Sequence, residues 1–344
     1  MQLANPNLRW ESATQNNMGV DFAFLDNQLS GSFDYFIKQT KDILVNPPVL
    51  AALGEGSARS INGAAMKNTG FEFMLSYNKQ VGDLFFNITG NIGAYRNKIT
   101  ELPEDVWDAY PGNAGIGDVI LGHALNSYYG YVADGLFQSE AEVEAHADQT
   151  GAGVGRIRFR DINGDGRITT DDRTWIGVQD PNFIYGLNFS LVYKQWDFSM
   201  FWNGASGGTV NVQNTKLYTD FYGAAFTGEN NGKRTLDAWS PTNTGSTIPM
   251  LSAFDNNSEK ELSSYFMESG SYLKLRSLEV GYTLAKTWAD KARMQNLRVY
   301  ARGDNLLKLK KTWGDNGFTG ADPETPNTAY PIPFSLSFGV NVTF

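Results

Sequence analysis

Large apolar residues recur at every second position in separate stretches of the chain. Met18, Val20, Phe22 and Phe24 share one face of an extended segment, and Leu29, Phe33, Tyr35 and Ile37 share the next, across the turn Asp26-Asn27. Phe71, Phe73, Leu75 and Tyr77 form a third such face; after Val81-Gly82-Asp83 come Phe86, Ile88, Ile92 and Ala94. Phe183, Tyr185, Leu187, Phe189, Leu191 and Tyr193 lead through Lys194-Gln195 into Trp196, Phe198, Met200 and Trp202. Tyr272 to Leu275 and Leu278 to Tyr282 read as one more strand, and Leu297, Val299 and Ala301 open another. The last residues, FSLSFGVNVTF, alternate strictly: Phe334, Leu336, Phe338, Val340, Val342 and Phe344 against small or polar neighbours. Period-two alternation predicts β-strands with one greasy and one wet face. The count is about nine or ten long strands.

The connections alternate in length. Short ones fall at Asp26-Asn27, Val81-Gly82-Asp83 and Lys194-Gln195; long ones run from about Val45 to Ala65, Thr100 to Arg156 and Ala205 to Ser264. Tyr193, Trp196 and Trp202 sit at strand ends, where an interfacial aromatic girdle would lie. Alternating strands of ~9–11 residues, short turns on one side and long loops on the other predict an all-β, antiparallel transmembrane β-barrel segment with short periplasmic turns and long extracellular loops. A soluble β-sandwich shows the same alternation, because period two does not distinguish lipid from a protein core. Glu140 to Ala147 and Ala285 to Met294 are the two convincing helical stretches, both read as loop ornaments.

Composition narrows the choice. With 36 Gly, 13% aromatics and no Cys, the chain favours strands and turns and excludes disulfide scaffolds and Cys-ligated metal sites. The net charge of −9 argues against nucleic acid as a partner. No run of ~18 apolar residues predicts a transmembrane helix. A mean hydropathy of −0.35 is compatible with a barrel, whose strands turn half their residues to a polar lumen. The opening MQLANPNLRWES has no apolar signal core. Either this chain is cytosolic, or it is a piece of a longer exported precursor.

One motif carries specific chemistry. Asp161-Ile162-Asn163-Gly164-Asp165-Gly166-Arg167-Ile168-Thr169-Thr170-Asp171-Asp172 places oxygen ligands and a sharp-turn glycine at the spacing of an EF-hand calcium loop. Asp161, Asn163 and Asp165 would supply side-chain oxygens, Arg167 its carbonyl, Thr169 an oxygen directly or through water, and Asp172 the final carboxylate. Asp172 is one methylene shorter than the usual Glu, so its bidentate grip is weaker, and Asp171 is a possible substitute. The expectation is a structural calcium ion and no organic cofactor; the alternative is a tight Asx/Gly turn that needs no ion. His123 and His146, the only histidines, have no nearby nitrogen ligand; composition alone leaves a Ser-His-Asp triad open, but His146 sits in the polar segment AEVEAHADQ and His123 in a Gly-rich loop, so neither is read as catalytic. Glu101, Glu104, Asp105, Asp315 and Asp322 read as loop solvation rather than as glycosidase acids. Trp107, Tyr110, Tyr218, Phe221, Tyr222 and Trp239 lie among Asn, Asp and Gly in the long loops, where aromatic faces suit sugar rings or peptide backbones or simply pack the loops. No P-loop or Rossmann fingerprint is present, and no enzyme activity is expected.

Several segments, in order, resemble one family. They are Asn5 to Leu44, Asn68-Thr69-Gly70-Phe71-Glu72, FRDINGDGRIT (Phe159 to Thr169), Ile176 to Gly204, SGSYLKLRSLEVGYTL (Ser269 to Leu284), LRVYARGDNLL (Leu297 to Leu307), Asp322-Pro323-Glu324 and the terminal strand. Together they resemble the C-terminal barrel portion of SusC/RagA-type TonB-linked outer-membrane transporters, over nearly the whole chain. The resemblance implies a barrel of about 22 strands, an N-terminal plug, a TonB-contacting segment and a SusD-like lipoprotein lid, importing oligosaccharides or peptides through the outer membrane of a Gram-negative, Bacteroidetes-like cell. On that reading residues 1–344 are the C-terminal part of the barrel, with the plug domain and the first barrel strands absent. The partners would be membrane lipid, the SusD-like lipoprotein and the substrate, with the TonB complex reached only through the missing N-terminal region. The competing expectations are a soluble secreted β-sandwich that binds glycans and is stabilised by calcium, and a glycosidase.

Overall fold

The computed structural model describes residues 5–47, 60–104, 106, 120–213, 221, 233–254, 257–291, 293–310, 322, 324 and 332–344. The alternating segments become one nine-stranded sheet. Its strands are β1 (Ser12–Phe24), β2 (Leu29–Val45), β3 (Ile61–Val81), β4 (Leu84–Glu101), β9 (Phe183–Tyr193), β10 (Trp196–Ser206), β13 (Tyr272–Thr283), β14 (Asn296–Lys310) and β15 (Ser335–Thr343). They lie in that order, each antiparallel to its neighbours. Six further short strands, β5 (Ser127–Tyr131), β6 (Ala133–Leu136), β7 (Ile157–Phe159), β8 (Arg173–Val178), β11 (Thr209–Asn211) and β12 (Met267–Ser269), belong to the connections.

The register turns the sequence pattern into two chemically distinct faces. Phe24, Leu29, Tyr77, Ile88, Phe189, Met200, Leu278, Gly303 and Leu336 are successive cross-strand partners, one from each strand. No polar side chain but the Tyr77 phenol interrupts that row. One residue along, the sheet presents Ser30, Ser76, Thr89 and Asn188. Polar groups on this face pair with one another: the Ser76 and Thr89 hydroxyls are 2.8 Å apart, and the Asn87 amide donates to Ser76 at 3.2 Å.

No second sheet packs on the apolar face among the described residues. The broad contacts of the nine strands are with sheet neighbours or with the short helix Lys286–Lys291. Met18, Val20, Phe33, Tyr35, Val280 and Leu336 stay exposed, and Phe338 keeps 83% of its surface. A sandwich would bury one face of each sheet against the other, so that alternative fails on the arrangement of the strands. An apolar wall backed by a polar face is the outer-membrane barrel pattern.

Successive antiparallel strands put alternate connections at opposite ends. Residues 25–28, 82–83, 194–195 and 284–295 make the short connections at one end; 46–60, 102–182, 207–271 and 311–334 make the long ones at the other. The last of these joins the three long loops read from the sequence. The register shifts at Thr40/Ile43, Ala65/Met66, Phe201/Trp202 and Leu275/Ser277 lie from mid-strand towards the long-connection end. There a bulge bends and twists the strand as it leaves the sheet. The close-packed core of Tyr131, Leu136, Ile157, Phe159, Val212, Phe221, Trp239, Ile248 and Phe266 also sits at that end, entirely within the long connections.

Candidate functional site

Two long connections, 102–182 and 207–271, fold together into a cap. Within them β5 (Ser127–Tyr131) pairs with β8 (Arg173–Val178), β6 (Ala133–Leu136) with β7 (Ile157–Phe159), and β11 (Thr209–Asn211) with β12 (Met267–Ser269). A buried polar network joins the two connections. The Arg156 Nε–H donates to Glu259 Oε1 at 3.0 Å while its Nη2 engages Oε2, and the Ile157 N–H donates to Oε1 at 3.1 Å. Gln149 donates to the Ile157 carbonyl at 2.8 Å and to Asn257 Oδ1 at 2.9 Å, and accepts from the Phe159 N–H at 2.9 Å. Glu259 is 1% exposed. Burial pushes its carboxyl above the ordinary range, against the pull of the Arg156 charge.

The calcium-type loop follows β7 directly. Asp161 accepts from the Gly164 N–H at 2.7 Å and from the Gly166 N–H at 2.9 Å. Asn163 accepts from Asp165 N–H at 2.9 Å, and Asp165 from Arg167 N–H at 2.8 Å. These are consecutive Asx turns, and Gly164 and Gly166 supply the positive φ values of 76° and 82° that they need. The Gly166 N–H, chiefly, holds the Asp161 carboxyl below the usual carboxylate range. Asp161, Asn163 and Asp165 thus cluster on the exposed side of the loop, with the Asn163 amide 3.2 Å from Asp165 Oδ2.

Asp172 lies on the inner side and is fully buried. One oxygen accepts from the Ile162 N–H at 2.8 Å and the other from the Thr169 N–H at 2.7 Å, while Thr169 Oγ1 accepts from the Asp171 N–H at 3.2 Å. That is a reciprocal capping box over the 3₁₀ turn Thr170–Asp172. Arg167 joins through its backbone, bridging to Asp148. Among the described residues, no group of three or more His, Asp or Glu side chains is arranged to hold a metal ion.

The remaining candidates have structural partners. The His123 ring stacks on Trp175 with centroids 4.1 Å apart, and His146 Nε2 lies 2.8 Å from the Phe159 carbonyl oxygen. Phe221 and Trp239 are buried in the cap core. Trp107, Tyr110, Tyr218, Tyr222, Asp105 and Asp315 lie outside the described residues.

The polar face carries an ionic cluster that single-strand reading does not reveal. Arg298 on β14 donates to Asp197 on β10 at 2.9 Å and to Glu279 on β13 at 2.7 Å, and Arg302 pairs with Asp304 at 2.9 Å. Further up, Lys274 lies 2.5 Å from Asp322 and also pairs with Glu324, which binds Arg276 and accepts from the Tyr272 hydroxyl at 2.7 Å. Burial alone would raise the Asp322 and Glu324 carboxyls; Lys274, with the Glu324 N–H and Lys308 at Asp322 and with the Tyr272 hydroxyl and Arg276 at Glu324, outweighs it and holds both below the ordinary range. Asp197, Glu279, Arg298, Arg302 and Asp304 alternate with the apolar positions of their strands, which puts them on one face; the register then decides which of them meet.

A single antiparallel sheet with an apolar wall, a charged inner face and a folded cap at the long-connection end defines a barrel-forming membrane protein. Comparison with known proteins makes this specific. No family model matches the chain. TonB-dependent receptor P3 of Formosa agariphila is 34% identical over 365 residues, covering 99% of this chain and 35% of that protein. TonB-dependent receptor SusC of Bacteroides thetaiotaomicron is 26% identical over 362 residues, covering 99% of this chain and 32% of that protein. The solved structure of the RagAB peptide transporter superposes with a TM-score of 0.74 at 22% identity, over 99% of this chain and 36% of the matched one. The chain belongs to the SusC/RagA-type TonB-dependent receptors, and its sheet has the fold of the RagA barrel. It spans about 35% of the length of the curated relatives it matches.

Proposed function

We propose that this chain forms barrel wall and surface loops of a TonB-dependent importer in the outer membrane of a Gram-negative, Bacteroidetes-like cell. On this reading it takes up oligosaccharides or peptides with a SusD-like lipoprotein over the cap, is driven through TonB, and catalyses no reaction. The observation that carries it is the apolar row through all nine strands, on which no protein layer packs among the described residues. Such a face is stable in hydrocarbon and an association hazard in water. The relatives' names support the TonB coupling, and the RagAB description as a peptide transporter supports peptides as one substrate class.

The test is fractionation of cells expressing the chain, followed by uptake of labelled peptides and oligosaccharides. Recovery in the outer membrane, release only by detergent and loss of uptake on deletion are expected. A monomer that is soluble without detergent overturns the reading.

The Asp161–Asp172 loop is proposed to bind a structural calcium ion. Asp161, Asn163 and Asp165 supply the exposed side-chain oxygens, Arg167 and Thr169 complete the loop, and Asp172 holds its fold from inside. What supports this is the ligand spacing and the gathering of the three oxygen-bearing side chains by successive Asx turns.

A further inference from the structure

The apolar face is not a flat wall throughout. Ala301 on β14 is a small residue in a row of large ones, flanked by Val280 on β13 and Phe338 on β15. In the next row towards the short-connection end stand Trp196, Tyr282, Val299 and Val340, successive partners on four strands. The result is a groove of about 750 Å³ over β13, β14 and β15, lined almost wholly by hydrocarbon and aromatic rings. The Trp196 and Tyr282 rings, 4.8 Å apart, stand at its short-connection end.

The connection joining the two floor strands, residues 284–295, begins just beyond that ring pair. It carries Lys286, Lys291 and Arg293 against a single acid, Asp290, all exposed. None of the three cations forms an ion pair among the described residues. The Lys291 ammonium is 5.2 Å from the centre of the exposed Trp288 ring, and in the neighbouring turn the Lys194 ammonium is 5.4 Å from the Tyr193 ring. Cations held over aromatic rings at the mouth of an apolar groove make an amphipathic receptacle, with hydrocarbon on one side and an anion on the other.

We propose that this is a binding site for one anionic glycerophospholipid. An acyl chain lies in the groove over Ala301, and the phosphate is held by Lys286, Lys291 and Arg293. The inference rests on the outer-membrane reading above. Charge complementarity selects this occupant over a second copy of the chain. Two copies in one membrane share an orientation, so a copy seated here would bring its own basic turn to the same level, and like charges would meet.

The test uses the whole chain purified in mild detergent and exposed to an equimolar mixture of dioleoyl phosphatidylglycerol and dioleoyl phosphatidylcholine. Retained lipid is read by native mass spectrometry. The expected result is one tightly held lipid, with phosphatidylglycerol preferred at least about fivefold. Lys286→Gln/Lys291→Gln/Arg293→Gln should bring the preference to about one while the chain still enters micelles. Ala301→Phe, which fills the groove, should lower retention of both lipids, with unchanged β-sheet circular dichroism as its folding check. Equal retention of the two lipids by the unaltered chain, a preference that survives the triple substitution, or a lipid-free dimer overturns the proposal. A chain that stays soluble without detergent overturns the membrane reading and this inference with it. One that enters micelles without lipid preference overturns only the inference.

Discussion

Replacing Glu259 by Ala tests whether the two long connections form one cooperative cap. Glu259 comes from the second connection and Arg156 from the first, and the ion pair is buried on both sides. Removing the carboxylate leaves a guanidinium without its counter-charge and the Ile157 N–H without its acceptor. Breaking a buried pair from one side costs about 3–5 kcal/mol. At about 1.4 kcal/mol per factor of ten, amide protection in the cap should fall by about two to three and a half orders of magnitude. Hydrogen–deuterium exchange reads this at Ile157 and Phe159 on one connection and Val212 on the other. The amides of β9 and β10, in the sheet, should not change. Arg156→Met/Glu259→Leu replaces the pair with apolar volume and should sit close to the unaltered chain, because exchanging a buried pair for well-packed hydrocarbon is neutral or stabilising. A drop of less than about threefold in Glu259→Ala, or a double variant as labile as the single one, would falsify the argument that this pair clamps the cap.

Leu278→Arg, in the row that runs through all nine strands, should destabilise the membrane-inserted sheet by about 2–4 kcal/mol in a urea titration from lipid vesicles, whereas Ser199→Arg on the polar face should have little effect; equal effects would contradict the assignment of faces. In the calcium-type loop, Asp172→Ala removes the buried acceptor of two backbone N–H groups and should raise exchange at Ile162 and Thr169 with or without chelator. Asp161→Ala should abolish any calcium-dependent rise in Tm, and a Tm unmoved by calcium in the unaltered chain refutes ion binding. The carboxyls of Asp322 and Glu324 are lower in the folded chain than when unfolded. The sign follows: their stabilisation is complete above the ordinary carboxylate pKa of about 4 and is lost as pH falls through the lowered values. Protection at Lys274, corrected for intrinsic rates, should therefore hold from about pH 7 to 5 and fall at more acid pH, and Asp322→Asn should reproduce the fall at neutral pH.

Strands and turns were legible because their signal is local. Period two, broken at Asp26-Asn27, Gly82-Asp83 and Lys194-Gln195, marks β1–β2, β3–β4 and β9–β10, and both helices form where their pattern placed them, a residue or more shorter. The ligand spacing of the Asp161–Asp172 loop was equally legible, but not the direction of each side chain. Asp172 turns inward to cap the 3₁₀ turn because Ile162 and Thr169 present their N–H groups to it, a tertiary fact that spacing does not carry. Phe221 and Trp239 were legible as loop aromatics that either face a ligand or pack the loops; that they pack was not decidable from their polar neighbours, because the core that buries them is assembled from two connections far apart in sequence. The cluster of Asp197, Glu279 and Arg298 was illegible for the same reason. Asp197 and Arg298 are separated by 101 positions and meet only once the register of three strands is set.

That register is also what separates a membrane wall from a sandwich. Alternation in any one strand says only that one face avoids water. Nine strands in register state how that face is used. The apolar partners from Phe24 to Leu336 form one continuous surface, polar partners such as Ser76 and Thr89 hydrogen-bond to each other behind it, and the tightly packed protein core lies beyond the strand ends, in the cap. A water-soluble fold of this size would invert the arrangement, placing its core on the sheet and its polar groups at the loops. The sheet therefore draws its hydrophobic stabilisation from lipid and the cap draws its own from protein, so a sequence of negative mean hydropathy can specify both.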